Sequence, residues 1–295
     1  MILTVGQKKK LRRAAAILFV AVVILVCFFI RRHRLEIASP PDGTMRVIFL
    51  DMGQSDATLL VAPDGSSLLI DTGDFDHNEQ LFAGLRKAGV RAPDVLLLTH
   101  GHSDHVGGAY ALLERYRVNT VCTPAEGFLD PTVYAKTLRA IEGERAERWE
   151  IAEVPMTFSL GEAAITIYPS PIFAGGENND SLVVRADYGK TSFLFCGDAE
   201  REEEAALLAL YGEDAFDVDL LKLGHHGSSG STSDDWLSAT TPDTAVASCG
   251  LANEFGHPHT ATIRALEARG IELLRTDESG TITIWSDGER IFRAP

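Results

Sequence analysis

The sequence predicts an α/β fold in which two β-sheets pack back to back with helices outside. Three observations lead there. Short runs rich in Val, Ile, Leu and Phe recur along the chain and are bounded by Gly, Pro, Asp and Asn. Helix-compatible stretches fall between them, with strands clustered first in each half, so two similar layers are expected. No solenoid period is visible, and 295 residues with 45% hydrophobic content provide for one large core.

Residues 45–295 are read as this domain. "MRVIFLD", "ATLLVAP" and "SLLIDTG" open it as strands, with "PDGS" as the hairpin turn between the last two. A helix at 79–88 precedes "DVLLLTH", whose unbroken apolar run reads as a strand buried on both faces. A helix at 105–115, the strand "RVNTVCT", a helix at 133–141 and the strands "AAITIYPS", "SLVVRADY" and "TSFLFCGD" follow. The second half contributes a helix at 200–210, "DVDLLKLG", the helix "SDDWLSAT", the strand "TAVASCG", a helix at 259–269 and the hairpin "TITIWSDGERIFR".

The N-terminus reads differently. Lys8, Lys9, Lys10, Arg12 and Arg13 precede an uninterrupted apolar run over 14–30, which Arg31, Arg32, His33 and Arg34 close. That run is just long enough to cross a bilayer core. The expectation is a short basic cytoplasmic segment (1–13), a transmembrane signal anchor (14–30) and a linker (31–44) containing "IASPPDGT". Arginines stand where a small-residue cleavage site would fall, so the anchor is expected to stay. Five basic residues before the span against three lysines and arginines after it place the domain on the extracytoplasmic side of the cell membrane.

Charge narrows the partners. Beyond residue 36 the chain holds 19 basic and 41 acidic residues, a net charge of −22. Such a body repels polyanions at long range, which counts against nonspecific nucleic-acid binding. Cys27, Cys122, Cys196 and Cys249 have no zinc-ligand spacing and read as small hydrophobes.

The chemistry sits in "LLLTHGHSDHVGG". A buried strand ending at Thr99 delivers His100 to a sheet's carboxyl edge, where open α/β folds place their sites. Gly101 permits a tight turn, so that His100 and His102 converge on one ion. Asp104 and His105, at the start of the next helix, reach a second. Imidazole and carboxylate without thiolate suit Zn, Fe or Mn. In "GHHGSSGS", three glycines and the hydroxyls of Ser228 and Ser229 suggest a turn whose N–H groups cradle an anion. Asp51, Gln54 and Asp56 either line the site's edge or hold a turn. His257 and His259 either cap a helix or touch substrate. Asp71 is expected to hydrogen-bond the metal-bearing loop.

"HGHSDH" followed by "GG" resembles the His-x-His-x-Asp-His motif of the metallo-β-lactamase superfamily, with "DTG" at 71–73 and "FCGD" ending at Asp198 in the expected order. The superfamily implies an αββα sandwich. "FLDMGQSDATLL", "NNDSLVV", "LLKLGHHGSS", "FGHP" and "RTDESG" narrow the likeness to the extracytoplasmic hydrolase domain of ComEC-type competence DNA-uptake proteins. Ser55 stands where that group commonly has glycine, and the multi-helix channel region of those proteins has no counterpart here. The resemblance implies two divalent ions, Mn²⁺ or Zn²⁺. His100 and His102 would hold one, Asp104 and His105 the other, and Asp198 would bridge them. The family's histidine between these motifs has no counterpart in "ENNDS", where Asn178, Asn179 or Asp180, or else water, would contribute oxygen instead. The last ligand falls to His226 or His225, with His226 preferred and the other facing substrate beside Asn179.

Two ions at this spacing acidify a bridging water and clamp the attacking and leaving oxygens. Asp104 works at that centre, and a histidine, His225 or His257, would protonate the leaving group. The expected function is a metal-dependent phosphodiesterase or DNA nuclease needing no nucleotide cofactor. Two alternatives are a hydrolase of small or wall-linked phosphoesters and a non-catalytic binding module.

Overall fold

Alternation along the first strands decides the layering. In β1 (Met45–Phe49), Met45, Val47 and Phe49 join one buried cluster and Ile48 joins another. Leu60 and Leu59 divide in the same way in β2 (Thr58–Val61), as do Leu68 and Leu69 in β3 (Ser67–Ile70). Successive side chains of a strand point to opposite faces, so each of these strands is apolar on both. One face packs against a second sheet and the other against helices. The structure, a computed structural model, describes residues 41–124, 131–172 and 178–294.

The first sheet continues with β4 (Val95–Leu97), β5 (Val118–Pro124) and β6 (Ala146–Ala152), all parallel to β3. The second sheet starts antiparallel with β7 (Met156–Leu160), β8 (Ala163–Tyr168), β9 (Val183–Tyr188) and β10 (Thr191–Phe195). It then turns parallel through β11 (Leu220–Lys222), β12 (Thr244–Ala247) and β13 (Glu272–Arg275). The last hairpin, β14 (Ile282–Ser286) and β15 (Ile291–Arg293), crosses back to pair with β1. The sheet orders are β15-β14-β1-β2-β3-β4-β5-β6 and β13-β12-β11-β10-β9-β8-β7.

Helices cover both outer faces. On the first sheet lie α1 (Asn78–Ala88), α2 (Ser103–Val106), α3 (Ala109–Arg115) and α4 (Pro131–Ala140), with Leu81, Leu85, Leu112 and Leu113 in its outer cluster. The second sheet carries α5 (Arg201–Tyr211), α6 (Asp234–Thr240), α7 (Thr260–Arg269) and the short α8 (Thr276–Ser279). Leu207, Trp236 and Leu266 pack there. The result is the expected αββα sandwich, and residues 42–293 form one compact unit.

Several elements differ from expectation. The helix expected over 105–115 is two helices broken at Gly107 and Gly108. A Cβ on Gly107 would lie 2.5 Å from the Ser103 carbonyl and 2.6 Å from the Phe75 nitrogen, so the chain passes here only without one. The strands β6, β7 and β13 and the short helix α8 were not expected. β6 is a mostly exposed edge strand, and its charged "AERWEIA" lacks the apolar alternation that announces a strand. The expected basic segment and anchor at 1–13 and 14–30, and the linker up to residue 40, lie outside the described residues. Among those that are described, no helix is long and apolar enough to cross a membrane.

Glu203, in the first turn of α5, is fully buried. Burial, with Asp180 and Glu204 adding to it, holds its carboxyl well above the ordinary 4.5. The folded chain therefore keeps a proton that the unfolded chain releases, and this residue's contribution to stability falls as pH rises past the ordinary value. Glu203→Gln should gain on the parent in urea midpoint as the pH rises above the ordinary 4.5. For one proton the slope is bounded by about 1.4 kcal/mol per pH unit. Parallel curves for the two proteins would show that the carboxyl is not held neutral.

Candidate metal centre

The metal-ligand residue types collect where β4, β10 and β11 end. Beyond β4 the chain runs through Leu98 and Thr99 to His100, all fully or nearly fully buried. Beyond β10, Gly197 adopts φ +52, and a Cβ there would lie 2.8 Å from Ser181 Oγ and 3.0 Å from Thr99 Cβ. Only glycine brings Asp198 this close to the histidine loop. Beyond β11 come His225 and His226, both left-handed (φ +46 and +53).

Asp71, itself at φ +58, organises the loop. The Thr99 N–H donates to its Oδ1 (2.8 Å), and the Thr99 hydroxyl donates to its Oδ2 (2.7 Å). His105 Nδ1–H donates to the same Oδ2 at 2.7 Å. That bond turns His105 Nε2 inward toward Asp198, the orientation of a metal-ligating histidine, and an ion binding there would take the place of the Nε2 proton. His226 is set the same way, because its Nδ1 donates to the Ser248 carbonyl at 2.9 Å.

Asp198 is the centre of the arrangement. Its Oδ1 lies 3.1 Å from His105 Nε2, and its Oδ2 lies 3.9 Å from the Nε2 atoms of His100, His225 and His226 alike. His226 Nε2 is also 3.2 Å from Asp104 Oδ2, and His100 Nε2 is 3.2 Å from His102 Nδ1. Two compact donor sets result, His100, His102 and Asp198 in one, and His105, Asp198, His226 and Asp56 in the other. Asp104 adjoins the second set through His226. His105 Nε2 and Asp198 Oδ1 are buried with no hydrogen-bond partner. Leaving such atoms unmatched costs free energy, and a cation between them removes the mismatch. The donors therefore fit two divalent ions sharing Asp198, with mixed nitrogen and oxygen ligation.

Without an ion, these groups compensate one another's charge. Burial disfavours the Asp198 carboxylate, yet His105 and His226 outweigh it and hold its pKa well below the usual carboxylate range. Burial likewise opposes the His105 imidazolium, but Asp198 and Asp71 lift its pKa well above 6.5. For His100, burial and then His105 push the pKa far down, so that ring is a neutral donor.

The remaining sequence-predicted residues divide. His257 receives a hydrogen bond on Nδ1 from the Gln54 amide at 3.3 Å, and its ring stacks near His226. Burial, then His226 and His225, lower it to about 4, so at neutral pH it offers an uncharged N–H donor. Asn179 Oδ1 accepts the Glu200 N–H, and Asn178 is the residue against His225. The loop amides expected to cradle an anion are engaged internally. Ser228 N–H donates to the His225 carbonyl, Ser229 N–H to His259 Nδ1, and Gly230 N–H to the Ser228 hydroxyl.

Two residues have a part here that the sequence reading did not give them. Asp56, left there as an edge or turn residue, is buried in the second donor set, and Lys222 Nζ donates to its Oδ2 at 2.7 Å. The signal lay in "DLLKLG", where a lysine inside a buried strand demands a charged partner.

The metallo-beta-lactamase superfamily pattern matches residues 50–250. ComE operon protein 3 of Bacillus subtilis (strain 168) is 32% identical over 255 residues, 80% of this chain and 32% of that protein. Competence protein ComA of Neisseria gonorrhoeae is 34% identical over 246 residues, 82% of this chain and 32% of its own length. The chain thus spans about a third of the length of these curated relatives. The crystal structure of the metallo-beta-lactamase fold protein YhfI from Bacillus subtilis aligns with a TM-score of 0.52 at 14% identity, covering 79% of this chain and 96% of that one. At that identity the likeness concerns the fold alone. Sandwich and donor cluster together define a hydrolase-like scaffold built around a shared carboxylate. The chain belongs to the metallo-β-lactamase superfamily, and within it is similar to competence proteins.

Proposed function

We propose that this protein is a binuclear metal-dependent phosphodiesterase whose substrate is DNA, held outside the cell membrane by the span at 14–30. The observation that carries the reading is Asp198, one carboxylate placed between two donor sets. When bound, Mn²⁺ or Zn²⁺ ions would supply Lewis-acid charge and acidify water for attack on phosphorus. His100 and His102 would hold one ion, and Asp104, His105 and His226 the other. Asp71 orients His105, and the neutral His257 offers its N–H to a substrate oxygen. The relatives named for competence support DNA as substrate. So does Phe255, exposed and stacked on His257 (5.7 Å, 23°), which offers a base a flat surface beside the centre. The net charge of −22 favours the second reading, a small or wall-linked phosphoester such as a choline-phosphate ester.

The purified protein, loaded with Mn²⁺ or Zn²⁺, should cleave bis-p-nitrophenyl phosphate and single-stranded DNA. An Asp104→Ala, His105→Ala double variant should lose at least about 10³-fold of that rate, roughly 4 kcal/mol of barrier. Equal rates in both proteins would sink the hydrolase reading. Turnover of the small diester or of choline-phosphate esters without DNA cleavage would move the substrate to the second reading, and DNA binding without turnover would mark a binding module.

A further inference from the structure

Gln54 lies in the turn after β1 that also carries Asp56, and its side chain reaches the loop beyond β12. Both ends of its carboxamide are engaged there. The Gly250 N–H donates to Gln54 Oε1 at 3.0 Å, and Gln54 Nε2 lies 3.3 Å from His257 Nδ1.

The two contacts together assign every proton between them. A backbone N–H can only donate, so the Gln54 atom that faces Gly250 is the carbonyl oxygen. The atom that faces His257 is then the amide nitrogen, which has two hydrogens to give and accepts none. His257 Nδ1 must therefore be the acceptor. A proton on Nδ1 would point at another N–H, so the neutral ring carries its proton on Nε2.

Other groups fix the rest of His257. The Asn253 amide donates to the carbonyls of Gly250 (2.9 Å) and His257 (2.7 Å), and Asn253 Oδ1 accepts the His257 N–H at 2.9 Å. The imidazole lies nearly parallel to the rings of His226 and Phe255, at 24° and 23°. Asn253 thus holds the backbone and the neighbouring rings hold the plane. Neither choice of nitrogen is affected by them, and that choice is left to Gln54.

We propose that Gln54 is a positioning residue of the centre, which by donating to Nδ1 keeps the His257 proton on Nε2, where the ring can offer it to a substrate oxygen. This rests on the hydrolase reading above. One turn then serves the site twice, Asp56 within the second donor set and Gln54 on the ring stacked near His226.

The test changes the amide nitrogen to oxygen. Gln54→Glu keeps the side chain's shape and its bond from Gly250, but presents His257 with an acceptor instead of a donor. At about pH 8, where a histidine is ordinarily neutral, the ring proton should move to Nδ1. Chelated full-length protein labelled with ¹⁵N at histidine would be compared with the variant by long-range ¹H–¹⁵N NMR, which distinguishes a protonated ring nitrogen from a bare one. The parent should show His257 bare at Nδ1 and protonated at Nε2, and Gln54→Glu should show the reverse. Loaded with Mn²⁺, the variant should retain as many ions per chain as the parent and lose at least about tenfold in turnover of bis-p-nitrophenyl phosphate. If the carboxylate is not tolerated, Gln54→Met removes the donor without adding an acceptor, and His257 should then populate both tautomers. A parent ring protonated at Nδ1, or a ring unchanged by either substitution, would overturn the proposal. So would a reversed tautomer with undiminished turnover. The expected tautomers in a parent that hydrolyses no phosphodiester would instead overturn the hydrolase reading.

Discussion

Asp198→Asn should abolish two-ion binding and reduce phosphodiester hydrolysis by at least about 10³-fold, roughly 4 kcal/mol of barrier. No other side chain of the centre has so many of the others around it. Asp198 faces His105 through one oxygen and His100, His225 and His226 through the other. Asparagine has nearly the same volume and removes the negative charge, so the packing between Ser181 and the histidine loop is retained. What is lost is the bridge. Each donor set then keeps its imidazoles, and the carboxylates that remain, Asp56 and the adjoining Asp104, lie on one side only. Ions counted per chain after gel filtration should fall from two to one or none, whereas the far-ultraviolet circular dichroism of the chelated protein should not change. An asparagine variant that keeps two ions would show that the sets are independent, each complete without a shared carboxylate.

The legibility of this centre followed the length of the chemical signal. "HGHSDH" places four ligand-type residues within six positions, and all four meet at the Asp198 carboxylate or at a residue beside it. The sandwich was readable for the same kind of reason. Strands buried on both faces, such as "LLLTH", are nearly pure apolar runs, and only an architecture covering both faces tolerates many of them. β6 was illegible because an exposed edge strand carries no such mark, whereas the alternation of "MTFSL" in β7 was there to be read. Between the adjacent His225 and His226 the sequence reading preferred His226 as the ligand, and His226 is the one that joins the second donor set. Asn178 and Asn179 mark a limit, as one carboxamide caps Glu200 and the other meets His225. The Asp56–Lys222 pair joins positions 166 residues apart, a separation no local pattern encodes.

That pair carries the largest stability effect expected of a single substitution here. Lys222 closes β11 from the second half, and Asp56 follows β1 in the first, so their contact joins the two halves beneath the metal centre. Both are almost wholly buried, with Nζ 2.7 Å from Oδ2 and 3.0 Å from the Leu223 carbonyl. Burial opposes the Asp56 charge, but Lys222, His226 and His105 outweigh it and lower its pKa. The backbone of Asp56 also bonds Asp104 and Gly73, so a displaced carboxylate would drag on the loop that carries Asp104. Removing one partner of a buried pair strands the other's charge, which typically costs about 3–5 kcal/mol. Replacing both by neutral groups leaves no stranded charge. In the chelated protein, Lys222→Met should therefore lose about 3–5 kcal/mol in urea unfolding, and Lys222→Met with Asp56→Asn should recover most of it. Metal should partly rescue the single variant, because a cation beside Asp56 replaces the missing ammonium charge. If the double variant is as unstable as the sum of its two single changes, the charges are not coupled and the loss belongs to packing of the lysine stem.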